Sequence, residues 1–170
     1  MNETYKPHTN EEKLAEFERL LQIMKRLRAE CPWDREQTFE SIRSNTVEET
    51  YELSDAILAN DMELIKKELG DLLLHIVFYS EMGSETNDFD IYDVCKNINE
   101  KLIFRHPHVF GEEDVKGDTA KVLENWESLK LKEKDGNKTV LGGVPASLPT
   151  LIKAYRIQEK AASVGFYWEF

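Results

Sequence analysis

Four acidic residues recur at an interval that brings carboxylates together. Glu48-Glu49-Thr50-Tyr51-Glu52 sets Glu49 and Glu52 three residues apart, and after fifteen residues Glu68-Leu69-Gly70-Asp71 repeats that interval with Glu68 and Asp71. On a helix of 3.6 residues per turn each pair shares a face. Acidic side chains on helices are usually just solvated, but Leu53, Ile57, Leu69, Leu72 and Leu73 surround these with hydrocarbon. Two carboxylates ~5 Å apart at an effective dielectric near 20 repel by about 3 kcal/mol, and a cluster of four multiplies that. A hard divalent cation removes the repulsion: Mg²⁺, with Mn²⁺ as a substitute, binds a few carboxylates together with waters and substrate phosphates. Four carboxylates offer ligands for more than one ion. Thr46 and Glu49 also match the spacing of a capping box, which gives Glu49 a competing, purely local role at a helix start.

Other residues with chemical potential are weaker signals. Asn97, Lys101 and Arg105 lie on one side of a helical stretch, either as a cationic site or as an ordinary solvated face. His106 and His108 flank Pro107 without partner ligands elsewhere and read as structural. His75, four residues after Asp71, reads as a satisfied core histidine. Cys31 and Cys95 fall outside any CxxC spacing and read as reduced, buried small hydrophobes. Trp33 is most simply a staple at a helix junction, although its short loop is also able to approach a bound ligand. A di-iron carboxylate bundle is disfavoured because it needs paired Glu-x-x-His motifs, and His75 has Leu72 three positions before it.

Helices are the elements that must position these groups. In 170 residues there are 8 Gly and 5 Pro, with 32% charged and 41% hydrophobic residues. That composition predicts an all-α fold with one core. Helical periodicity runs from Glu11 until Cys31-Pro32, after a loose polar tail at residues 1–10. Asp34 with Gln37 matches a capping box that leads a short helical piece, and Thr46 with Glu49 one that leads a helix over 47–59. Asn60-Asp61 breaks and recaps the chain, folding a helix over 62–82 antiparallel to its predecessor, with Gly83 as its C-terminal cap. Asp90 opens a fourth helix with the apolar stripe Ile91, Val94, Cys95, Ile98 and Leu102, ending before Pro107. A fifth helix covers 119–133 and holds Trp126. Residues 136–147 read as a linker, and Ser147 caps a last helix through Ala162.

The net charge of -11 argues against a nucleic-acid polymer or an anionic membrane as partner, since both demand a cationic surface. A small phosphate ligand is still admitted through a metal ion or a local basic patch. The longest apolar run, residues 72–79, falls far short of the ~20 residues of a membrane span, and no basic-then-apolar leader opens the chain. The expectation is a soluble, cytoplasmic protein.

Several blocks in order resemble the MazG nucleoside triphosphate pyrophosphohydrolases of the all-α NTP pyrophosphatase superfamily. They are Cys31-Pro32-Trp33-Asp34 with Gln37-Thr38, Glu48 to Glu52, Glu68 to Leu73, Arg105-His106-Pro107-His108-Val109-Phe110, and Val164-Gly165-Phe166. The resemblance implies hydrolysis of a nucleoside triphosphate to the monophosphate and pyrophosphate, with Mg²⁺ held by Glu49, Glu52, Glu68 and Asp71. It implies a homodimer in which helices from two chains complete each bundle and site. The family's basic helix maps onto Lys101 and Arg105 as phosphate ligands, with Asn97 a lesser candidate, and Trp126 falls where similar proteins place an aromatic residue near the nucleotide. Many members carry two such domains in tandem. The implied organisation is a domain at 11–135, the linker at 136–147, and a connecting helix at 148–170 leading to a second domain. That organisation leaves an alternative: a catalytically weak or inactive domain for nucleotide binding or dimerisation. Tyr167 departs from the family pattern, which often has Asp after Val-Gly-Phe, and lies outside the metal motif.

Overall fold

Side chains that cap backbone amides start the long helices of the N-terminal part. Thr9 and Glu12 form a reciprocal capping box that opens α1 (Asn10–Glu30), so the chain is ordered by residue 9, inside the stretch expected as a tail. Cys31-Pro32 ends α1, and Pro32 takes the first position of the short α2 (Pro32–Glu36), where its missing N–H costs nothing. The computed structural model describes residues 6–112, 117–132, 139–162 and 165–166. The remaining elements are α3 (Phe39–Ala59), α4 (Met62–Glu85), α5 (Ile91–Arg105), α6 (Pro107–Phe110), α7 (Thr119–Lys132) and α8 (Thr150–Ala162). All elements among the described residues are α-helices, in agreement with the expected all-α class.

Two of the expected helix starts move. Asp34 lies inside α2, and the box that opens α3 is formed by Thr38 and Ser41, two turns ahead of Thr46. Thr46 sits in mid-helix, where its hydroxyl donates to the Ile42 carbonyl at 3.2 Å and meets the Tyr79 hydroxyl at 2.7 Å. The break at Asn60-Asp61 forms as expected. Asn60 closes α3 in the left-handed conformation (φ 54°), and the Asp61 carboxylate accepts from the Glu63 and Leu64 amides to open α4.

Gly83 is not the cap of α4. The helix runs on to Glu85, and a Cβ at Gly83 would stand 2.8 Å from the Phe89 ring, so glycine is there for a close approach. Ser147 lies in a turn, and α8 begins at Thr150. The end expected for the fifth helix, Glu133, and residues 167–170 with Tyr167 lie outside the described residues.

The chain divides into two compact units between Lys96 and Asn97. In the first, α3 packs along α4, and α1 packs on α2 and α4. Met24, Ile42, Val77, Phe78 and Met82 form its core, lined by Phe17, Leu20, Leu21, Leu74 and Tyr79. Each fully buried side chain of this size contributes roughly 1.5–3 kcal/mol. Arg28 ties three elements: its guanidinium donates to the Asp34 and Gln37 carbonyls and to both carboxylate oxygens of Glu85, while lying 5.5 Å over the Phe78 ring. No described helix is long and apolar enough to cross a membrane.

Candidate functional site

The α3–α4 hairpin turns the two sequence intervals into one acidic cluster. Glu49 on α3 and Glu68 and Asp71 on α4 each bring a carboxylate oxygen to within 4.8 Å of the others. Glu68 is 1% exposed, and its Oε2 is buried with no hydrogen-bond partner among the described residues. An acceptor left this way carries the full cost of desolvation unless something positive meets it. Glu52 is exposed and stands outside the tight group, although all four residues share one electrostatic neighbourhood.

One cation already reaches them. Lys67 Nζ donates to Glu68 Oε1 at 2.8 Å and to Asp71 Oδ2 at 3.2 Å, and lies 4.0 Å from Glu52 Oε2. Those two hydrogen bonds hold the ammonium well above its ordinary pKa. The Glu49 carboxyl is also raised, but at the cost of its charged form: burial, followed by the charges of Glu52, Asp71 and Glu68, raises it against a smaller pull from Lys67. An oxygen-only donor set with a buried orphan oxygen suits a hard divalent cation. Lys67 went unnoticed in the motif reading, although a lysine beside Glu68 and four residues before Asp71 was there to see.

Two competing readings near the cluster change. Because α3 starts at Thr38, the Thr46–Glu49 capping box does not form, and Glu49 keeps no role at a helix start. His75 is not satisfied: its Nδ1 is buried without a partner, and burial depresses its pKa against the opposing charge of Asp71. The expected hydrocarbon surround is only partial within one chain, since Ile57, Leu69 and Leu73 are exposed and Leu53 and Leu72 half-buried. Trp33 is exposed, with its carbonyl accepting from Gln37 Nε2. Both cysteines are free thiols, Cys31 half-buried and Cys95 exposed, so burial was wrongly expected for Cys95.

The second unit holds the remaining candidates. Asn97, Lys101 and Arg105 follow one another at four-residue steps along α5, the first two exposed. Arg105 is half-buried and places its guanidinium 5.5 Å over the Trp126 ring, which the His106 ring meets edge-on at 4.7 Å. His106 Nδ1 lies 2.6 Å from the Leu102 carbonyl, and the His106 and His108 rings pack at 5.7 Å. Arg105 and Trp126 thus come together as one cation–π pair.

Residues 37–110 match the family model of the MazG nucleotide pyrophosphohydrolase domain. That span takes in the four carboxylates, Asn97, Lys101 and Arg105, and leaves Trp126 outside. The nucleoside triphosphate pyrophosphohydrolase of Escherichia coli (strain K12) is 45% identical over 158 residues, which cover 90% of this chain and 60% of that protein. The nucleoside triphosphate pyrophosphohydrolase/pyrophosphatase MazG of Thermotoga maritima is 45% identical over 156 residues, covering 90% of this chain and 59% of that one. The chain therefore spans about three fifths of the length of these curated relatives. The crystal structure of a mazG-related protein from Thermotoga maritima superposes with a TM-score of 0.59 at 26% identity, over 68% of this chain and 99% of that one.

Proposed function

We propose, starting from the MazG nucleotide pyrophosphohydrolase domain that this chain carries at residues 37–110, that the chain hydrolyses nucleoside triphosphates to monophosphate and pyrophosphate with Mg²⁺. The relatives named for that activity support the reaction class. The observation that carries the site is the convergence of Glu49, Glu68 and Asp71, one of which, Glu68, keeps a buried carboxylate oxygen without a hydrogen-bond partner among the described residues.

Glu49, Glu68 and Asp71 supply the ligand oxygens, and Glu52, exposed at the edge of the cluster, completes the set or accepts the proton of the attacking water. Held there, Mg²⁺ (or Mn²⁺) would supply Lewis-acid chemistry, acidifying and orienting a water and withdrawing charge from phosphate oxygens. Lys101 and Arg105 hold the departing pyrophosphate, with Asn97 as an auxiliary donor. Trp126 offers a ring to the nucleotide and is steadied by Arg105. The further expectations belong to this reading: a homodimer, a domain at 11–135 followed by the linker at 136–147 and the connecting helix at 148–170, and a cytoplasmic location. The chain's net charge of -11 argues against a nucleic-acid polymer or an anionic membrane as a partner.

The test is product analysis after incubating the purified chain with a panel of NTPs and dNTPs in Mg²⁺. Monophosphate and pyrophosphate should accumulate, and Glu52→Ala and Asp71→Ala should each lose about 100-fold or more, the scale reported for a lost electrostatic or metal-holding group. No product above background, with the variants indistinguishable from the parent, sinks the proposal. Nucleotide binding without turnover would assign the chain instead as a binding or dimerisation domain.

A further inference from the structure

We infer that Lys67 is a built-in counterion of the carboxylate cluster, placed where a divalent cation must go, and that it must leave before the ion can bind. The inference rests on the metal reading of the preceding section. Its ammonium sits within hydrogen-bonding range of Glu68 and Asp71, two of the three residues whose oxygens converge, and 4.0 Å from Glu52.

An exposed ion pair is ordinarily worth little, and a lysine on a helix meeting an acid four residues on is commonplace. Lys67 differs in what it touches. One of its partners, Glu68, is 1% exposed, and a second helix contributes Glu52, so the ammonium bridges α3 and α4. Lys66, the neighbouring residue, shows the ordinary case: among the described residues it pairs with exposed Glu63 and no second helix contributes.

Substitution by the lysine is incomplete. A single ammonium brings one positive charge and three donors to a site with up to four negative charges, and Glu68 Oε2 still has no donor. A divalent ion at the same oxygens supplies the missing charge but excludes the ammonium, because two cations at ligand distance from one carboxylate repel strongly. The Lys67 side chain is 60% exposed, so its four-carbon stem has solvent to swing into. The metal-free fold is thereby held together at the expense of metal affinity.

Mn²⁺ titration of the full chain in the absence of nucleotide, followed by calorimetry or by the spin resonance of free Mn²⁺, tests this. Lys67→Gln should bind Mn²⁺ about tenfold more tightly than the parent, the size of a nearby unit charge largely screened by water. In EDTA the same variant should melt lower, and Mn²⁺ should raise its midpoint by more than it raises the parent's. Lys67→Arg, which keeps the charge, should bind like the parent or more weakly, and Lys66→Gln should change nothing. Equal or weaker Mn²⁺ binding by Lys67→Gln, or an equal gain in Lys66→Gln, overturns the counterion role while leaving the metal centre standing. Failure of the parent and all variants to bind Mn²⁺ overturns both.

Discussion

Glu49 is costly to the metal-free protein. Burial and the charges of Glu52, Asp71 and Glu68 raise its carboxyl in the fold, so the folded state holds this proton more firmly than the unfolded chain does. For an acid shifted upward the penalty is absent below the ordinary carboxylate range, grows as pH rises through it, and is complete above the raised folded value. Glu49→Gln in EDTA should therefore melt a few degrees higher than the parent at pH 7, with the gain shrinking toward pH 4. In saturating Mn²⁺ the order should reverse, because the variant has lost a ligand. Thermal scans in the two conditions check both, and a variant that melts lower than the parent in EDTA at pH 7 contradicts the cost. The acidic intervals were legible in the sequence because helical periodicity is local. The pairing of Lys67 with Asp71 was legible by the same local spacing, but its reach to Glu52 was not, since that depends on how two helices pack and no spacing rule encodes it.

At the scale of elements, the junction of α1, α2 and α4 hangs on Arg28, whose side chain is 9% exposed. Arg28→Ala strands the Asp34 and Gln37 carbonyls and should cost about 1–3 kcal/mol in denaturant unfolding. The hydrogen bond from Arg28, reinforced by its charge and opposed by burial, holds the Glu85 carboxyl below its usual value. That contribution is complete above the ordinary carboxylate range and is lost as pH falls through the lowered value, so the melting difference between the parent and Glu85→Gln should persist at pH 6 and close below about pH 4. A difference that stayed constant across that range would place the effect elsewhere. Gly83→Ala is a separate test of packing. Its new methyl meets the Phe89 ring and carbonyl at 2.8 Å, a clash that should cost about 1–3 kcal/mol. Two of the misplaced helix signals, Thr46-x-x-Glu49 and Gly83, fail because tertiary context overrides a local pattern. The first is a pattern that marks a helix start and the second one that marks a helix end, yet both lie inside helices here, where Thr46 meets Tyr79 of the neighbouring helix and Gly83 stands close against Phe89. Asn60-Asp61 was read correctly because its left-handed residue and its capping carboxylate are local chemistry.

At the scale of the molecule, α4 is apolar on more sides than the helices of its own unit cover. Val77, Phe78 and Met82 are buried against α1 and α3, whereas Leu69, Leu73 and Ile76 are 52%, 38% and 46% exposed along another face. A helix that is apolar nearly all round is a helix buried nearly all round. Composition made the all-α class legible, but which surface covers this second face is a property of assembly and leaves no mark in a single chain's periodicity. We predict that a second copy covers it, consistent with the proposed homodimer. Charge opposes such an association, because each chain brings a net -11, so apolar burial must supply the drive and screening must help. Sedimentation velocity should show a dimer at micromolar concentration whose dissociation constant falls as salt is raised from low to physiological strength. Leu73→Glu, on the apolar face and one turn or less from Asp71 and Ile76, should shift the mass to monomer while α-helical circular dichroism is retained. A parent that sediments as a monomer in both salts rejects the dimer, and a Leu73→Glu variant that remains dimeric places the interface on a different face.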